Sequence, residues 1–289
     1  ISLEIMEGEV LALVGESGCG KTTTARLLLG LIPPTSGKIY FRGVDITTLK
    51  GGELRKIRRK MQIIFQDPYE SLNPRWTVFN IVAEPLTVNR IVKGRAELRR
   101  RVIEALEEVE LKPAESFLHR FPHELSGGQR QRVAIARGLI LRPEFVVADE
   151  PVSMLDMSIR VGILNLLLDL KEAHNLTYLF ITHDLAQARY VSDRIAVMYL
   201  GKIVEEGGTS QVIDDPIHPY TKALISNVPV VGGQGPKRIL LKGETPSPIR
   251  LPTGCRFHPR CPEAQPICRK EEPPLREVGG GRKVACHLY

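Results

Sequence analysis

The fold of this 289-residue chain is decided by the stretch EVLALVGESGCGKTTTARLLLG, residues 9–30. Its first part, residues 10–14, is a short apolar run typical of a buried strand. Its last part has helical character and ends at Gly30, shortly before a pair of prolines. Between the two, GESGCGKT (residues 15–22) fits the pattern G-x-x-x-x-G-K-[ST]. Such a loop turns backbone N–H groups inward beside a helix N-terminus, so we predict a phosphate-binding site.

The residue types of this loop suit a nucleotide and its metal ion. Lys21 can reach the β and γ phosphates, and the hydroxyl of Thr22 can bind Mg²⁺. The residues predicted to bind the nucleotide are Gly15, Ser17, Gly18, Cys19, Gly20, Lys21, Thr22 and Thr23.

The composition allows a globular protein and favours no membrane span. Hydrophobic residues make up 43% of the chain and charged residues 25%, and no apolar run approaches the roughly 18 residues of a membrane-spanning helix. The net charge of +7 is compatible with nucleic acid, an anionic membrane surface or nucleotide phosphates. The basic clusters at residues 54–60 and 95–101 are typical of solvated helix faces, so we expect no nucleic-acid partner. The start resembles no signal peptide, which predicts a cytoplasmic chain.

Short apolar runs alternate with helical patterns along the first three quarters of the chain. This alternation predicts an α/β fold with a doubly wound sheet. β signals are weak between residues 69 and 121, where Val102, Ala105, Leu106 and Val109 fall at helical spacing, so a helical insert is expected there. By contrast, RIAVMYLGKIVEEG (residues 194–207) is interpreted as one strand.

The character of the sequence changes after Asp214, where Pro and Gly become frequent and periodicity is poor. We predict a main domain at residues 1–213, whose helical subdomain spans about 69–135. A linker and a small, loop-rich extension are expected over residues 214–289, and residues 254–289 contain four cysteines.

Two further stretches carry chemistry. FVVADE (residues 145–150) is a buried strand that delivers Asp149 toward Mg²⁺ and Glu150 toward an attacking water as a general base. In LSGGQ (residues 125–129), Ser126 and Gln129 fit a helix capping box. A capping box does not explain two adjacent glycines, which lower helix propensity by about 1 kcal/mol each. We interpret the glycines as the place where the backbone approaches a phosphate.

At these residues the chain resembles the ATP-binding subunits of ABC transporters, whose signature is LSGGQ. The further matches follow in the same order as in that family: Gln66 in FQDP at the Q-loop, Asp156 in SMLD at the D-loop, and His183 in ITHD at the switch histidine. The resemblance implies an ATP hydrolase that uses ATP and Mg²⁺ on a P-loop NTPase core. Its catalytic residues would be Glu150, His183 and Gln66, and its magnesium site would involve Thr22, Gln66 and Asp149.

The resemblance also implies how the protein assembles. Two such subunits would form a head-to-tail dimer, in which the signature of one contacts the ATP held by the other. The expected partners are a second ATPase subunit, identical or a sister, two membrane-spanning permease subunits, and a substrate-binding protein through the complex. The chain would then lie on the cytoplasmic face of the cell membrane as a peripheral protein. The signature residues expected to contact the partner-bound ATP are Ser126, Gly127, Gly128 and Gln129.

The chain departs from the family pattern in three ways. The fourteen residues before Gly15 contain no aromatic side chain to stack on adenine. Val152 and Met154 replace the Thr and Ala of many relatives, but we expect activity because the acid and Asp156 are intact. Cys19 replaces a common Ser, and we expect a harmless small residue in preference to an oxidisable thiol of low pKa.

The stretch HPYTKALISNVP (residues 218–229) and the cysteine tail resemble the oligopeptide/dipeptide importers, a group that includes nickel and oligosaccharide importers. Peptide is the favoured cargo. A soluble ABC ATPase acting on DNA or ribosomes would usually carry two ATPase units or a long coiled coil, and the insert here lacks sustained heptads. A subunit that binds ATP without hydrolysis is disfavoured because Glu150 and His183 are both present.

The tail cysteines have the spacing C-x5-C-x6-C-x17-C. In a cytosolic chain, four clustered cysteines favour a metal over disulfides. Structural zinc prefers closer pairs, so a [4Fe–4S] cluster, known in some importers of the resembled group, is favoured, with Zn²⁺ and then disulfides or free thiols as alternatives. His258 and His287 could each replace a cysteine, but we expect both to be bystanders. The nearby cations Arg256, Arg260, Arg269 and Lys270 are expected to offset the cluster's charge. The predicted ligands are Cys255, Cys261, Cys268 and Cys286.

Overall fold

A computed structural model of the chain describes residues 1–227, 239–241, 243, 246–247 and 249–289. The end of the HPYTKALISNVP stretch and part of the predicted linker, residues 228–238, 242, 244–245 and 248, lie outside the described residues. The structure divides into two compact units, which are described separately below. The first unit combines Ile1–Thr24 with Leu179–Tyr289, and the second is Ala25–Tyr178.

The strands of the described residues are β1 (Val10–Val14), β2 (Tyr40–Phe41), β3 (Val44–Asp45), β4 (Met61–Ile64), β5 (Phe145–Asp149), β6 (Thr177–Thr182), β7 (Arg194–Tyr199), β8 (Lys202–Gly208), β9 (Arg276–Gly279) and β10 (Arg282–Val284). The helices are α1 (Lys21–Leu28), α2 (Gly51–Lys60), α3 (Pro68–Ser71), α4 (Val78–Val88), α5 (Arg95–Glu108), α6 (Gly127–Leu139), α7 (Met157–His174), α8 (Leu185–Val191), α9 (Thr209–Asp214) and α10 (Pro219–Ser226). Short 3-10 helices cover Ala114–Ser116, Pro122–Glu124 and Pro266–Arg269. Within these ranges, no helix is both long and apolar enough to cross a membrane.

The first unit is built on a twisted sheet around β1. Every residue of β1 is buried, as its uninterrupted apolar sequence predicts, and β6 and β7 flank it. β1 pairs with β7 in parallel, with Leu11 opposite Arg194 and Val14 opposite Val197. Strands buried on both faces are typical of α/β sheets covered by helices.

The stretch interpreted as one strand is in fact a hairpin. β7 and β8 run antiparallel, and the turn between them uses positive φ angles of 42° at Leu200 and 75° at Gly201. Because the apolar pattern continues across the turn, periodicity gives no sign of the reversal. The single glycine was the available signal.

The C-terminal extension is less loop-like than its sequence predicts. β9 and β10 form a hairpin around three glycines with positive φ, residues 279–281. β10 also pairs antiparallel with β8, and Lys283 lies opposite Glu206. The end of the chain therefore adds strands to the main sheet of the first unit.

The second unit pairs β4 with β5 in parallel, with Met61 opposite Phe145 and Ile64 opposite Ala148. The segment predicted as a helical insert is helical from α3 to α6. The predicted stripe on and just after α5 is buried: Val102, Leu106 and Val109 are at most 1% exposed. This unit thus contains a short parallel sheet, the antiparallel pair β2–β3 and a helical layer, and β5 ends at the acidic pair.

Candidate nucleotide-binding site

The glycine loop of the first unit follows β1 and leads into α1. Gly18 and Gly20 have φ angles of 77° and 112°, which residues with a Cβ rarely adopt. Gly15 is required for a different reason. A Cβ there would lie 2.3 Å from the carbonyl oxygen of Met198 on β7 and 2.8 Å from Sγ of Cys19. The sequence pattern therefore corresponds to a tightly curved loop packed against the sheet.

Lys21 lies inside this loop. Its Nζ donates to the carbonyl oxygens of Gly15 at 2.8 Å and Glu16 at 3.1 Å, and the residue is 6% exposed. These two hydrogen bonds hold the ammonium group at the centre of the loop. The other predicted nucleotide contacts at the loop surface are exposed: Ser17, Gly18, Thr22 and Thr23.

Cys19 faces the protein interior. Burial raises the pKa of its thiol, and the positive charge of Lys21 offsets this effect only in part. Its carbonyl oxygen accepts a hydrogen bond of 2.7 Å from the backbone N–H of Gly201. A buried thiol with a raised pKa is a poor nucleophile, which agrees with a small packing residue and not with an oxidisable thiol.

The predicted switch residue His183 also belongs to the first unit, where it is exposed after the end of β6. The turn that presents it is fixed by its neighbours. The N–H of Asp184 donates to Oγ1 of Thr182 at 3.0 Å, and the Asp184 carboxylate caps α8 by accepting from Ala186 N–H at 2.8 Å.

The second unit brings two of the predicted catalytic residues together. Nε2 of Gln66 donates to Oε2 of Glu150 at 3.1 Å. Asp149, the last residue of β5, is 5% exposed, and Glu150 follows it with a φ of 47°. A non-glycine residue in the left-handed region is uncommon and is found most often at functional sites. The carboxylate of Glu150 is thus aimed by the backbone and by Gln66.

The turn after Glu150 shows why Val152 and Met154 are tolerated where many relatives have Thr and Ala. The N–H and Oγ of Ser153 both donate to the Glu150 carbonyl oxygen, at 3.2 and 3.0 Å. Val152 is 1% exposed and packs in the core, whereas Met154 is 60% exposed. Neither side chain is needed for the hydrogen bonds that hold the turn.

The signature begins α6, as the capping box predicts. The N–H of Gln129 donates to Oγ of Ser126 at 3.3 Å, and the N–H of Ser126 donates to Oε1 of Gln129 at 3.0 Å. The two glycines differ. A Cβ on Gly128 would lie 2.8 Å from Cγ2 of Ile159, whereas a Cβ on Gly127 would make only an ordinary 3.5 Å contact with Leu155. Packing within the chain therefore accounts for Gly128, and only Gly127 still needs a ligand to explain it.

Asp156 precedes α7 and is exposed. Its carbonyl oxygen accepts the N–H groups of Ile159 and Arg160 at 3.0 and 3.1 Å, but its side chain makes no capping hydrogen bond. An N-cap carboxylate normally accepts a hydrogen bond from a backbone N–H of the first helical turn, and the Asp156 carboxylate does not.

The tail cysteines lie in the first unit and are free thiols. Burial raises the pKa of Cys255 and of Cys286, and raises that of Cys261 to about 11. The other tail thiols raise these pKa values further, so the four sulfurs share one neighbourhood. Among the described residues, however, no three His, Cys, Asp or Glu side chains form a group that could hold a single metal ion. The metal-binding character predicted for the extension is therefore not visible as a preformed site.

Two residues that contact the phosphate loop, Arg260 and Tyr220, are not predicted to do so from the sequence. Arg260, which was expected only to offset the charge of a cluster, pairs with Glu16 at 2.8 Å. The hydroxyl of Tyr220 accepts from the N–H of Glu16 at 3.0 Å. These partners are 244 and 204 positions from Glu16, so local patterns give no signal for the contacts.

The predicted residues fall in both units. The first unit holds the glycine loop, His183 and the tail cysteines, and the second holds Gln66, Asp149, Glu150, Asp156 and the signature.

Comparisons with known proteins agree with this geometry. Residues 1–153 match the family described as "ABC transporter", and residues 204–268 match "Oligopeptide/dipeptide transporter, C-terminal region". The chain is 50% identical over 293 residues to the oligopeptide transport ATP-binding protein AppF of Bacillus subtilis (strain 168), covering 100% of this chain and 88% of that protein. It is 49% identical to the putative oligopeptide transport ATP-binding protein YkfD of the same strain, with the same coverage.

Solved structures agree as well. A dimeric post-hydrolysis state of the ATP-binding cassette MJ0796 bound to ADP and Pi superposes with a TM-score of 0.65 at 37% identity, covering 72% of this chain and 88% of that one. The structure of cbiO1 from Clostridium perfringens, part of the cbiONQ transporter complex, gives a TM-score of 0.67 at 30% identity and covers 74% and 83% of the two chains. The chain therefore belongs to the ABC transporter family, as an ATP-binding and ATP-hydrolysing subunit.

Proposed function

We propose that the chain hydrolyses Mg-ATP with Glu150 as the general base and Gln66 as the residue that orients it. The observation that carries this assignment is the 3.1 Å hydrogen bond between the two side chains, beside the buried Asp149. Asp149, Thr22 and Gln66 would hold Mg²⁺, which neutralises charge on the transferred phosphate. Lys21 and the N–H groups of residues 15–23 would bind the phosphates, and His183 would contact the γ-phosphate.

Hydrolysis would take place in a head-to-tail dimer. Ser126 and Asp156 are exposed, and outside its own helical turn none of the described residues lies closer than 3.5 Å to a Cβ placed on Gly127, which supports a role for this surface toward a partner's nucleotide. The dimeric state of the MJ0796 structure supports assembly as a dimer. Light scattering of the Glu150→Gln variant with and without ATP tests it. ATP-dependent doubling of the mass is expected for a homodimer, and a constant monomer mass would require a sister subunit or refute the dimer.

The cargo we propose is a peptide, carried through two permease subunits and supplied by a substrate-binding protein, with this chain on the cytoplasmic face of the membrane. The match of residues 204–268 and the names of the relatives support this choice. The test is uptake of labelled oligopeptide, nickel and oligosaccharide by cells that carry either the wild-type chain or Glu150→Gln. Loss of peptide uptake alone is expected. Loss of nickel or oligosaccharide uptake instead would reassign the cargo within the group.

We further propose that Cys255, Cys261, Cys268 and Cys286 hold a [4Fe–4S] cluster, which would cross-link the extension. The pKa values of Cys255, Cys261 and Cys286 are raised by burial and by neighbouring tail thiols, and such a set of close thiols suits a soft metal, which would bind them as thiolates. A single zinc draws its ligands into contact with one ion, whereas a cluster tolerates wider separations. The spacing C-x5-C-x6-C-x17-C, which lacks the close cysteine pairs that structural zinc prefers, therefore favours iron–sulfur over zinc.

Anaerobic purification followed by an absorption spectrum and metal counting tests the cluster. About four irons per chain and a broad band near roughly 400 nm are expected. Cys261→Ser should lower the iron content, and Cys19→Ser, at the one cysteine outside the tail, is the matched control. One zinc per chain would replace the cluster by a structural zinc site, and neither metal would refute metal binding.

A further inference from the structure

We propose that the C-terminal extension sets the affinity of the phosphate loop for ATP through Glu16, with Arg260 and Tyr220 as the positioning residues. This inference rests on the proposed nucleotide site and adds a role for the extension. All the residues involved belong to the first unit.

Arg260 neutralises the carboxylate of Glu16 in a paired geometry. Nη1 lies 2.8 Å from Oε2, and Nη2 lies 3.3 Å from Oε1. The arginine side chain is 9% exposed and that of Glu16 is 27% exposed. A bidentate ion pair of this kind fixes the orientation of the carboxylate as well as neutralising its charge, and its burial reduces screening by salt.

Tyr220 holds the same residue by its backbone. Its hydroxyl accepts from the Glu16 N–H at 3.0 Å, and the tyrosine is 0% exposed. The ring packs against Tyr199 at a centroid distance of 4.8 Å and against Phe257 at 5.4 Å. His218, which accepts from the Tyr220 N–H at 3.1 Å, caps the helix that carries the tyrosine. The position of the Tyr220 hydroxyl is therefore fixed by the packing of its ring and by the capped helix that carries it.

Glu16 is thus held at each of its polar groups. Tyr220 binds its N–H, Arg260 binds its carboxylate, and Lys21 donates to its carbonyl oxygen at 3.1 Å. Lys21 is the residue expected to bind the β and γ phosphates, so one residue links the extension to the phosphate-binding ammonium. The position of Glu16 directly after Gly15 places its charge in the loop itself.

The sign of the effect follows from this charge. Without Arg260, the Glu16 carboxylate would lose the positive charge that faces it in the loop and would repel a bound polyphosphate more strongly, because like charges repel. Arg260→Ala should therefore raise the Kd for a non-hydrolysable ATP analogue and the KM for ATP about tenfold, a change that lies between those expected for one charge pair at short range in water and near a protein surface. The kcat should change far less, because the catalytic groups are untouched.

The experiment is titration of the full-length chain with the analogue, together with steady-state ATPase kinetics. Arg260→Lys should retain most of the affinity. The double variant Glu16→Gln with Arg260→Ala should recover it, because the unpaired charge is then absent. Arg276→Ala, an exposed arginine on β9 of the same extension, is the matched control and should leave the Kd unchanged.

Distinct results separate the possible failures. If the wild-type chain does not bind the analogue, the proposed nucleotide site fails. If it binds and Arg260→Ala binds equally well, the inference is wrong. If Arg260→Ala binds the analogue weakly and the double variant with Glu16→Gln binds no better, the arginine only stabilises the fold, and the inference is again wrong. Should Arg260→Ala not fold, the comparison of Arg260→Lys with Arg260→Gln decides in the same way.

Discussion

Gln66 donates a side-chain hydrogen bond of 3.1 Å to Glu150, which is 84 positions away in the chain. The bond joins the second residue after β4 to the first residue after β5, and these two strands run parallel and therefore end at the same edge. Glu150 also has a positive φ of 47°, a conformation that costs of order 1–3 kcal/mol for a residue with a side chain. Backbone and hydrogen bond together fix the direction of the carboxylate before any substrate binds.

The first prediction concerns this carboxylate. Glu150→Gln keeps a side chain of the same shape beside Gln66 but removes the base that accepts a proton from water. ATP turnover should fall by at least about 100-fold, while nucleotide affinity stays within a small factor of the wild-type value. Phosphate release and analogue titration measure the two quantities. Glu107→Gln, on the exposed side of α5, is the matched control, and unchanged turnover in Glu150→Gln would contradict the assigned role.

The second prediction separates the two glycines of the signature. Gly128→Ala places a Cβ 2.8 Å from Cγ2 of Ile159, a β-branched side chain that has little freedom to move away. We expect a loss of about 1–3 kcal/mol in unfolding free energy, the usual cost of overpacking. Gly127→Ala has an ordinary 3.5 Å contact and should keep its stability. If Gly127 approaches a partner's phosphate, this variant should nevertheless lose ATPase activity.

Thermal unfolding and phosphate release distinguish the two glycines. Ile159→Ala should restore the stability of Gly128→Ala, because it removes the methyl group that the new Cβ would strike. A stable, fully active Gly127→Ala would show that this glycine serves neither packing nor ligand binding.

The local parts of the site could be predicted from the sequence because each is a continuous segment. β1, the glycine loop and α1 follow one another directly, and so do β5 and its two acids. The capping box of Ser126 and Gln129 also depends only on residues three positions apart. Such features are encoded by residue type and spacing, and no other part of the chain is needed to recognise them.

What the sequence left open depends on contacts between distant segments. The pairing of Arg260 with Glu16 joins the tail to the first loop, and the tail arginine was assigned to a cluster because the cysteines are its neighbours in sequence. Gly128 was attributed to a ligand because nothing local shows that Ile159 packs on it. The β9–β10 hairpin was missed because its strands are short and half polar, and β10 gains stability from pairing with β8.

The third prediction is a loss of stability in mild acid through His218. Burial lowers its pKa to about 3, from 6.5 in an unfolded chain, and the nearby charge of Lys222 acts in the same direction. The unfolded state therefore binds a proton that the folded state excludes. Stability is complete above about pH 7 and falls as the pH drops below 6.5, by about 2 kcal/mol at pH 5. Protonation would also remove the Nδ1 acceptor of the Tyr220 N–H.

Urea unfolding between pH 5 and 7.5 measures this loss. His218→Asn supplies a neutral helix cap of similar reach and should flatten the pH dependence by that amount. The exposed His119→Asn should leave it unchanged. An identical slope in His218→Asn and the wild-type chain would show that other groups are responsible.

The fourth prediction concerns the buried ion pair that fastens β10 to β8. Glu205 is 0% exposed and Arg282 is 7% exposed, and their side chains meet at 2.5 Å. The Glu205 carboxylate also accepts the N–H groups of Ile217 and His218, at 3.1 and 2.9 Å. Arg282→Ala would leave a buried carboxylate without its cation, so the free energy of unfolding should fall by about 3–5 kcal/mol.

The neighbouring Lys283→Ala is the matched control, since this lysine is 41% exposed and lies 3.8 Å from Glu206, which also pairs with Arg194. Its loss should be at most about 1 kcal/mol. The double variant Glu205→Gln with Arg282→Met should recover part of the stability that Arg282→Ala loses. Its amide oxygen can still accept from the backbone N–H groups, and no buried charge is left unpaired. Equal unfolding midpoints for Arg282→Ala and Lys283→Ala would mean that strand pairing, and not the ion pair, holds the end of the chain to the sheet. In that case Arg282 would be dispensable, and the pairing of β10 with β8, together with the aromatic packing around Phe257, would hold the extension in place.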